Sequence, residues 1–158
     1  MKKIRNPFLK RSDYNCFGCS PHNKFGLQMT FFEDGEEIVS EWTPKPQFQG
    51  YHNVLHGGIQ TTLMDELASW FVYVKLKTAG VTSKMEIKLK KTLFMNKGKI
   101  TLRAKLKEMK KNIANISVKI FDSEGNLCTE GVFAYFTFPR KIAVKKFDYP
   151  VEETAFYE

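Results

Sequence analysis

Long apolar runs are missing from this chain: none approaches the ~18 consecutive residues that a membrane-spanning helix needs. The opening stretch, MKKIRNPFLKRSDYN, has the positive start of a secretion signal without its apolar core. A cytoplasmic protein with no membrane association is therefore expected. Cysteine is also scarce. Cys16, Cys19 and Cys128 are too few for a disulfide framework. Cys16, Cys19 and His22 make CFGCSPH, whose C-x-x-C is half of a zinc site. A structural zinc normally takes four ligands, and no second close pair exists in the chain, so buried thiols in a turn-rich segment and no metal are expected. Acidic residues are in the minority, and the net charge of +8 favours anionic partners. The lysines are scattered over several segments without a nucleic-acid-binding signature, so nucleic acid is not expected. A basic, solvated surface is the plain alternative to a phosphorylated ligand. Repeats are absent too. A chain of 158 residues then reads as one domain, burying about two-thirds of the surface its unfolded form exposes.

What is present is periodicity. Residues 1–24 are basic and rich in turn formers, predicting an arm with a short helix or irregular structure. In FGLQMTFF, Leu27, Met29 and Phe31 share one parity, and in EIVSEW so do Ile38, Ser40 and Trp42; EDGEE between them is a hairpin signal. TPKPQFQGYHNV is a loop, with too much Pro and Gly to be regular. From Gly57 to about Lys77 the period is helical: Ile59, Leu63, Leu67, Trp70 and Val74 share a face. Asp65 falls roughly opposite that stripe, near Ala68, Val72 and Leu76, so the helix is apolar on two sides. After Ala79-Gly80 the period drops to two. In VTSKMEIKLKKTLF, Val81, Met85, Ile87, Leu89 and Leu93 alternate with polar residues; ITLRAKLKE, IANISVKIF and NLCTEGVFAYFTF follow. Four such strands predict an antiparallel meander with one polar face. Pro139 ends the last strand, and the acidic-aromatic tail is expected to be peripheral. Two strands, a long buried helix and four strands describe an α+β architecture, a single central helix wrapped by a twisted antiparallel sheet of about six strands.

The helix opens with HGGIQTTLMDE, residues 56–66. Gly57 and Gly58 let the backbone approach a ligand without a Cβ in the way. The first N–H groups of a helix lack intrahelical partners and sit at the positive end of its dipole, which suits an anion or a developing oxyanion. A tight turn capped by His56 is the simpler reading of the same residues. Asp65 is a mediocre helix former on an apolar flank. It is either an ordinary helical carboxylate or a general base or nucleophile. Gly57 and Asp65 are eight residues apart, about 12 Å along one helix, too far to close on one small carbonyl. Antiparallel helices related by a two-fold axis would bring Gly57 of one chain to Asp65 of the other, which predicts an obligate homodimer with two equivalent sites.

GYHNVLHGGIQTTLMDELASW, together with CFGCSPHNKFGLQM and EGNLCTEGVFAYFTF, resembles the hotdog-fold acyl-CoA thioesterases of the phenylacetate-pathway (PaaI-like) branch over about residues 14–138. The resemblance implies a hotdog dimer, often paired into tetramers, that hydrolyses acyl-CoA thioesters with no metal and no cofactor, coenzyme A being part of the substrate. It places the oxyanion donor on the Gly57 N–H, the catalytic carboxylate on Asp65, and the histidine that positions thioester and helix start on His56. A Ser or Thr early in the strand after the helix matches Thr82, with Ser83 adjacent; plain strand surface is the alternative for both. Where many members carry Asn six residues before the motif His, this chain has Gly50, flanked by Gln49, with Asn53 further on. A proline common in the strand-end loop is absent from KKTLFMNKG. Phosphates of coenzyme A would be held by Lys90 and Lys91 at a strand end and by Lys110, Lys111 and Asn112 at a hairpin. The expected organisation is an arm (1–24), a thioesterase domain (25–138) and a tail (139–158). Acyl-CoA hydrolysis is the expected activity; non-catalytic acyl-CoA binding and a hotdog enoyl-thioester hydratase are its rivals.

Overall fold

The structure, a computed structural model, describes residues 1–157. Its elements run β1 (Lys2–Ile4), β2 (Phe31–Asp34), β3 (Glu37–Trp42), α1 (Gly57–Lys75), β4 (Gly80–Leu89), β5 (Ile100–Lys110), β6 (Ile113–Phe121), β7 (Leu127–Thr137) and α2 (Arg140–Lys146). All pairings are antiparallel, in one sheet of order β1-β2-β3-β5-β6-β7-β4. The sheet wraps α1, which touches β3, β4, β5, β6 and β7. This is the α+β architecture with one central helix that the periodicity predicts.

The helix supplies the core. Leu63, Met64, Leu67, Ala68 and Val72 are fully buried, and Trp70, Phe71 and Val74 nearly so. Each fully buried large apolar side chain of this kind contributes about 1.5–3 kcal/mol. Ala68 and Val72 lie on the second apolar side, so one chain already covers part of that face. Part of the helix cover comes from the termini. Phe8 and Phe156 both pack against Trp70 and Tyr73, and Tyr149 packs on Tyr73. The tail is therefore not peripheral: Ala143, Tyr149 and Phe156 are buried, and the Tyr149 hydroxyl donates to the Tyr73 carbonyl at 2.9 Å.

Three further expectations need correction. The arm is not only helical or irregular; β1 pairs with β2 and adds a seventh strand. FGLQMTFF becomes a strand only from Phe31, because Gln28 sits at φ +53°. Its backbone bonds go elsewhere, Leu27 N–H to Phe17 O and Met29 N–H to Gly18 O. Leu27, Met29 and Phe31 are still all buried, so the alternation reported burial without a ladder. The Gly35 turn, with φ +58°, closes the β2–β3 hairpin as expected. Finally, β4–β7 is not a sequential meander. β5, β6 and β7 are neighbours in order, whereas β4 crosses over to pair with β7 at the sheet edge. Alternation shows which side chains a segment buries but not which strand it joins.

Candidate active site

The site begins at the mouth of α1. His56 is its N-cap: the ring Nδ1 accepts from the Gly58 N–H at 2.9 Å, which makes the simpler reading of His56 a fact. Gly57 holds the first helical position, where an N–H has no intrahelical acceptor. Gln60 locks this end down. Its amide donates to Leu55 O at 3.0 Å and accepts from the Thr129 hydroxyl of β7 at 2.6 Å, all buried. A cavity of about 520 Å³ opens here, lined by Gln49, Gly50, Tyr51, Leu55, His56 and Gly57. A Cβ on residue 50 would lie 3.3 Å from the His56 Cα, so Gly50 lets the loop pack onto the histidine. Leu89, at the end of β4, covers the helix start, its Cδ2 only 3.1 Å from where a Gly57 Cβ would be.

Two turns along, Asp65 is clamped by the sheet. The Thr82 hydroxyl donates to Asp65 Oδ1 at 2.8 Å. The Tyr135 hydroxyl lies 2.6 Å from the same oxygen and 2.8 Å from the Asp65 carbonyl. Neither contact reaches Oδ2. Burial, then the charge of Asp65 and its hydrogen bond, push the Tyr135 phenol far above its ordinary range, so it stays a donor. The register of β4 makes this possible. A bulge between Thr82 and Lys84 inserts one residue, so Thr82 faces the helix opposite Tyr135 while Met85, Ile87 and Leu89 face it opposite Phe133, Gly131 and Thr129. Ser83 takes the other side and donates to Ala134 O at 3.0 Å. Of the two candidates, Thr82 is the one the fold brings to Asp65.

The remaining candidates separate. Asn53, at φ +58°, donates its backbone N–H to the Gln49 side chain at 2.9 Å and its amide to Asn96 at 3.0 Å. Gln49 alone of the two lines the cavity. Lys90 and Lys91 follow Leu89 at the Gly57 end of the molecule, both N–H groups bonding Cys128 O; Lys90 pairs with Glu130 at 2.7 Å. Lys110, Lys111 and Asn112 form the β5–β6 turn at the opposite end, where Asn112 O accepts from Thr137. Within one chain the two basic groups cannot share a ligand. Sequence reasoning missed Tyr135, Gln60 and Thr129. Tyr135 carried a faint signal, a lone phenol between inward Phe133 and Thr137.

β4 also leaves something unmet. It is an edge strand, paired only with β7, and Val81, Met85 and Leu89 are 44%, 42% and 56% exposed. A ten-residue edge with apolar side chains and unpaired backbone groups is a ready pairing surface.

A family model, the thioesterase superfamily, matches residues 52–129, from the loop before His56 through α1, β4, β5 and β6 into β7. Over those residues, just under half of its length, the chain is similar to the thioesterase superfamily. No curated protein matches the sequence. Solved structures carry the likeness in three dimensions. AziG of S. sahachiroi is 20% identical with a TM-score of 0.66, covering 71% of this chain and 92% of that one. A thioesterase from Haemophilus influenzae is 20% identical with a TM-score of 0.65, covering 71% and 79%. A Streptococcus mutans protein bound to acetyl CoA is 13% identical with a TM-score of 0.66, covering 82% and 97%. Such identities establish the fold. That fold is the hotdog, α1 being the single helix inside the curled sheet. Among the described residues, no helix is long and apolar enough to cross a membrane.

Proposed function

We propose that the protein is an acyl-CoA thioesterase of the PaaI-like branch, working as a homodimer. The observation that carries the reading is the Asp65 clamp. A carboxylate on an apolar flank of α1 is held through one oxygen by Thr82 and Tyr135, which leaves the other to meet water or an acyl carbon. The acetyl-CoA-bound Streptococcus mutans neighbour supports a coenzyme A ester as the ligand of this fold. The exposed apolar edge of β4 supports a second copy across a two-fold axis, with α1 helices antiparallel. In that dimer the Gly57 N–H of one chain faces Asp65 of the other, and the β5–β6 turn of one chain approaches the Gly57 end of its partner. Lys110 and Lys111 then join Lys90 and Lys91 around the phosphates of coenzyme A.

Asp65 takes a proton from water as its oxygen attacks the thioester carbonyl. Gly57 N–H stabilises the tetrahedral oxyanion. Collapse breaks the C–S bond, and the departing sulfur takes up the proton, giving free acid and CoA thiol. Asp65→Asn tests the assignment by free-thiol release over short, long and aromatic acyl-CoAs. A general base contributes about 10²–10⁴ in rate. Near-wild-type hydrolysis by the variant would remove Asp65 from the mechanism, and saturable binding without hydrolysis by the native protein would select a binding role. A single turnover in ¹⁸O-water tests direct attack: label in the Asp65 carboxylate would show an anhydride opened at the Asp65 carbonyl.

A further inference from the structure

The N-terminal segment holds chemistry that thioester hydrolysis does not use. The chain turns tightly from Cys16 to Cys19, with the Ser20 N–H bonded back to Cys16 O at 3.1 Å. Onto this turn α1 lowers the carboxylate of Glu66, fifty positions from Cys16, whose thiol lies 3.5 Å from Glu66 Oε1. One ligand atom from each of Cys16, Cys19 and Glu66 falls within 4.8 Å of the others. Glycine at residue 18 leaves room for the acid: a Cβ there would lie 2.3 Å from the Glu66 carboxyl carbon, and the side chain would have to shift. Outer partners already orient the set. The Tyr14 hydroxyl is 2.8 Å from Cys19 Sγ, and the Trp70 indole N–H donates to Glu66 Oε1 at 3.1 Å. Ligand atoms in metal sites are positioned by outer donors in this way.

Two thiols and a carboxyl group facing one another inside a fold are costly unless protons or a cation sit among them. Thiolates select soft or borderline metals, and a tetrahedral zinc, with bonds of about 2.3 Å to sulfur and 2.0–2.2 Å to oxygen, spaces its donors about 3.5–3.8 Å apart. We propose that Cys16, Cys19 and Glu66 bind a zinc ion that ties the N-terminal segment to α1. Binding releases the two thiol protons to solvent. The two thiolates balance the dication, and the carboxylate leaves the site singly negative, held by the Trp70 donor. His22, the neighbouring ligand type in the sequence, is exposed and outside the cluster. The third ligand comes from the helix instead. The site uses neither Asp65 nor Gly57, so it stands or falls separately from hydrolysis.

The test uses the tag-free full chain, reduced and stripped of metal, titrated with zinc against a chromophoric chelator and with cobalt(II). One equivalent per chain and a thiolate-to-cobalt charge-transfer band are expected. In the native chain zinc should protect Cys16 from alkylation, a readout that needs no variant. Cys16→Ser with Cys19→Ser should abolish the band and the stoichiometric uptake. Glu66→Gln should keep a band while weakening binding by at least the about 10–100-fold that loss of an outer-shell partner costs. Failure of the native chain to take up one equivalent, uptake unchanged in the double-serine variant, or alkylation indifferent to zinc would each overturn the proposal.

Discussion

Replacing Tyr135 by phenylalanine deletes one oxygen from the inner face of β7 and leaves the ring in place. The ring is 2% exposed, so its packing is conserved. What disappears is the donor 2.6 Å from Asp65 Oδ1, which also approaches the Asp65 carbonyl. A hydrogen bond to a charged acceptor contributes about 1.5–3 kcal/mol. Asp65 is half-buried, so water can replace part of the loss and the lower end applies. For a domain of this size ~1.5 kcal/mol corresponds to a fall in Tm of about 3–6 °C. If the hydroxyl positions the acid for attack, the same energy appears in the transition state, and kcat falls about tenfold or more. KM should change little, because Tyr135 acts on the acid rather than on the substrate. Thr82→Val should behave alike, and the double variant should lose less than the sum, since both donors serve one oxygen. Steady-state thiol release and thermal melts on the four proteins complete the cycle. A Tyr135→Phe enzyme that melts early but keeps kcat within about twofold of native would show that the phenol only supports the fold, and the positioning argument would be wrong.

Gly18→Ala should destabilise the protein by about 1–3 kcal/mol, as overpacking does, because the added methyl meets the Glu66 carboxylate; denaturant melts measure it. Met85→Lys places a charge on the inward side of the exposed edge strand. It should shift the protein to monomer in sedimentation and abolish hydrolysis together, while an active monomer would end the two-chain site. Burial opposes ionisation of Glu33, but hydrogen bonds from Lys75 and Tyr157 and the charges of Lys75 and Lys2 outweigh it and hold its pKa below the ordinary value. With the folded value depressed, this stabilisation is complete above the unfolded pKa of about 4.3 and is lost as pH falls through the folded one. Glu33→Gln should flatten the acid limb of the Tm–pH curve, and an unchanged slope would show that the pair contributes nothing.

The helix and the strand segments could be read directly because burial repeats at intervals the backbone enforces. Leu63, Leu67, Trp70 and Val74 follow the turn of α1, and Leu27, Met29 and Phe31 alternate even where no ladder forms. The termini were harder. Phe8, Tyr149 and Phe156 carry no period in their short segments, and their role appears only once Trp70 and Tyr73 lie beneath them. HGG followed by an aspartate was visible as a motif, yet its acid has partners from two strands that periodicity cannot name.

Local rules, then, decided what each segment is: Gly57 opens a helix, His56 caps it, and the alternation from Val81 onward is strand. Which segments meet is a different matter, because pairing depends on contacts distant in sequence that no local period encodes. Only the tertiary structure moves β4 to the edge, lets a bulge turn Thr82 toward Asp65, sets Tyr135 beside it, and lays Glu66 across the two thiols.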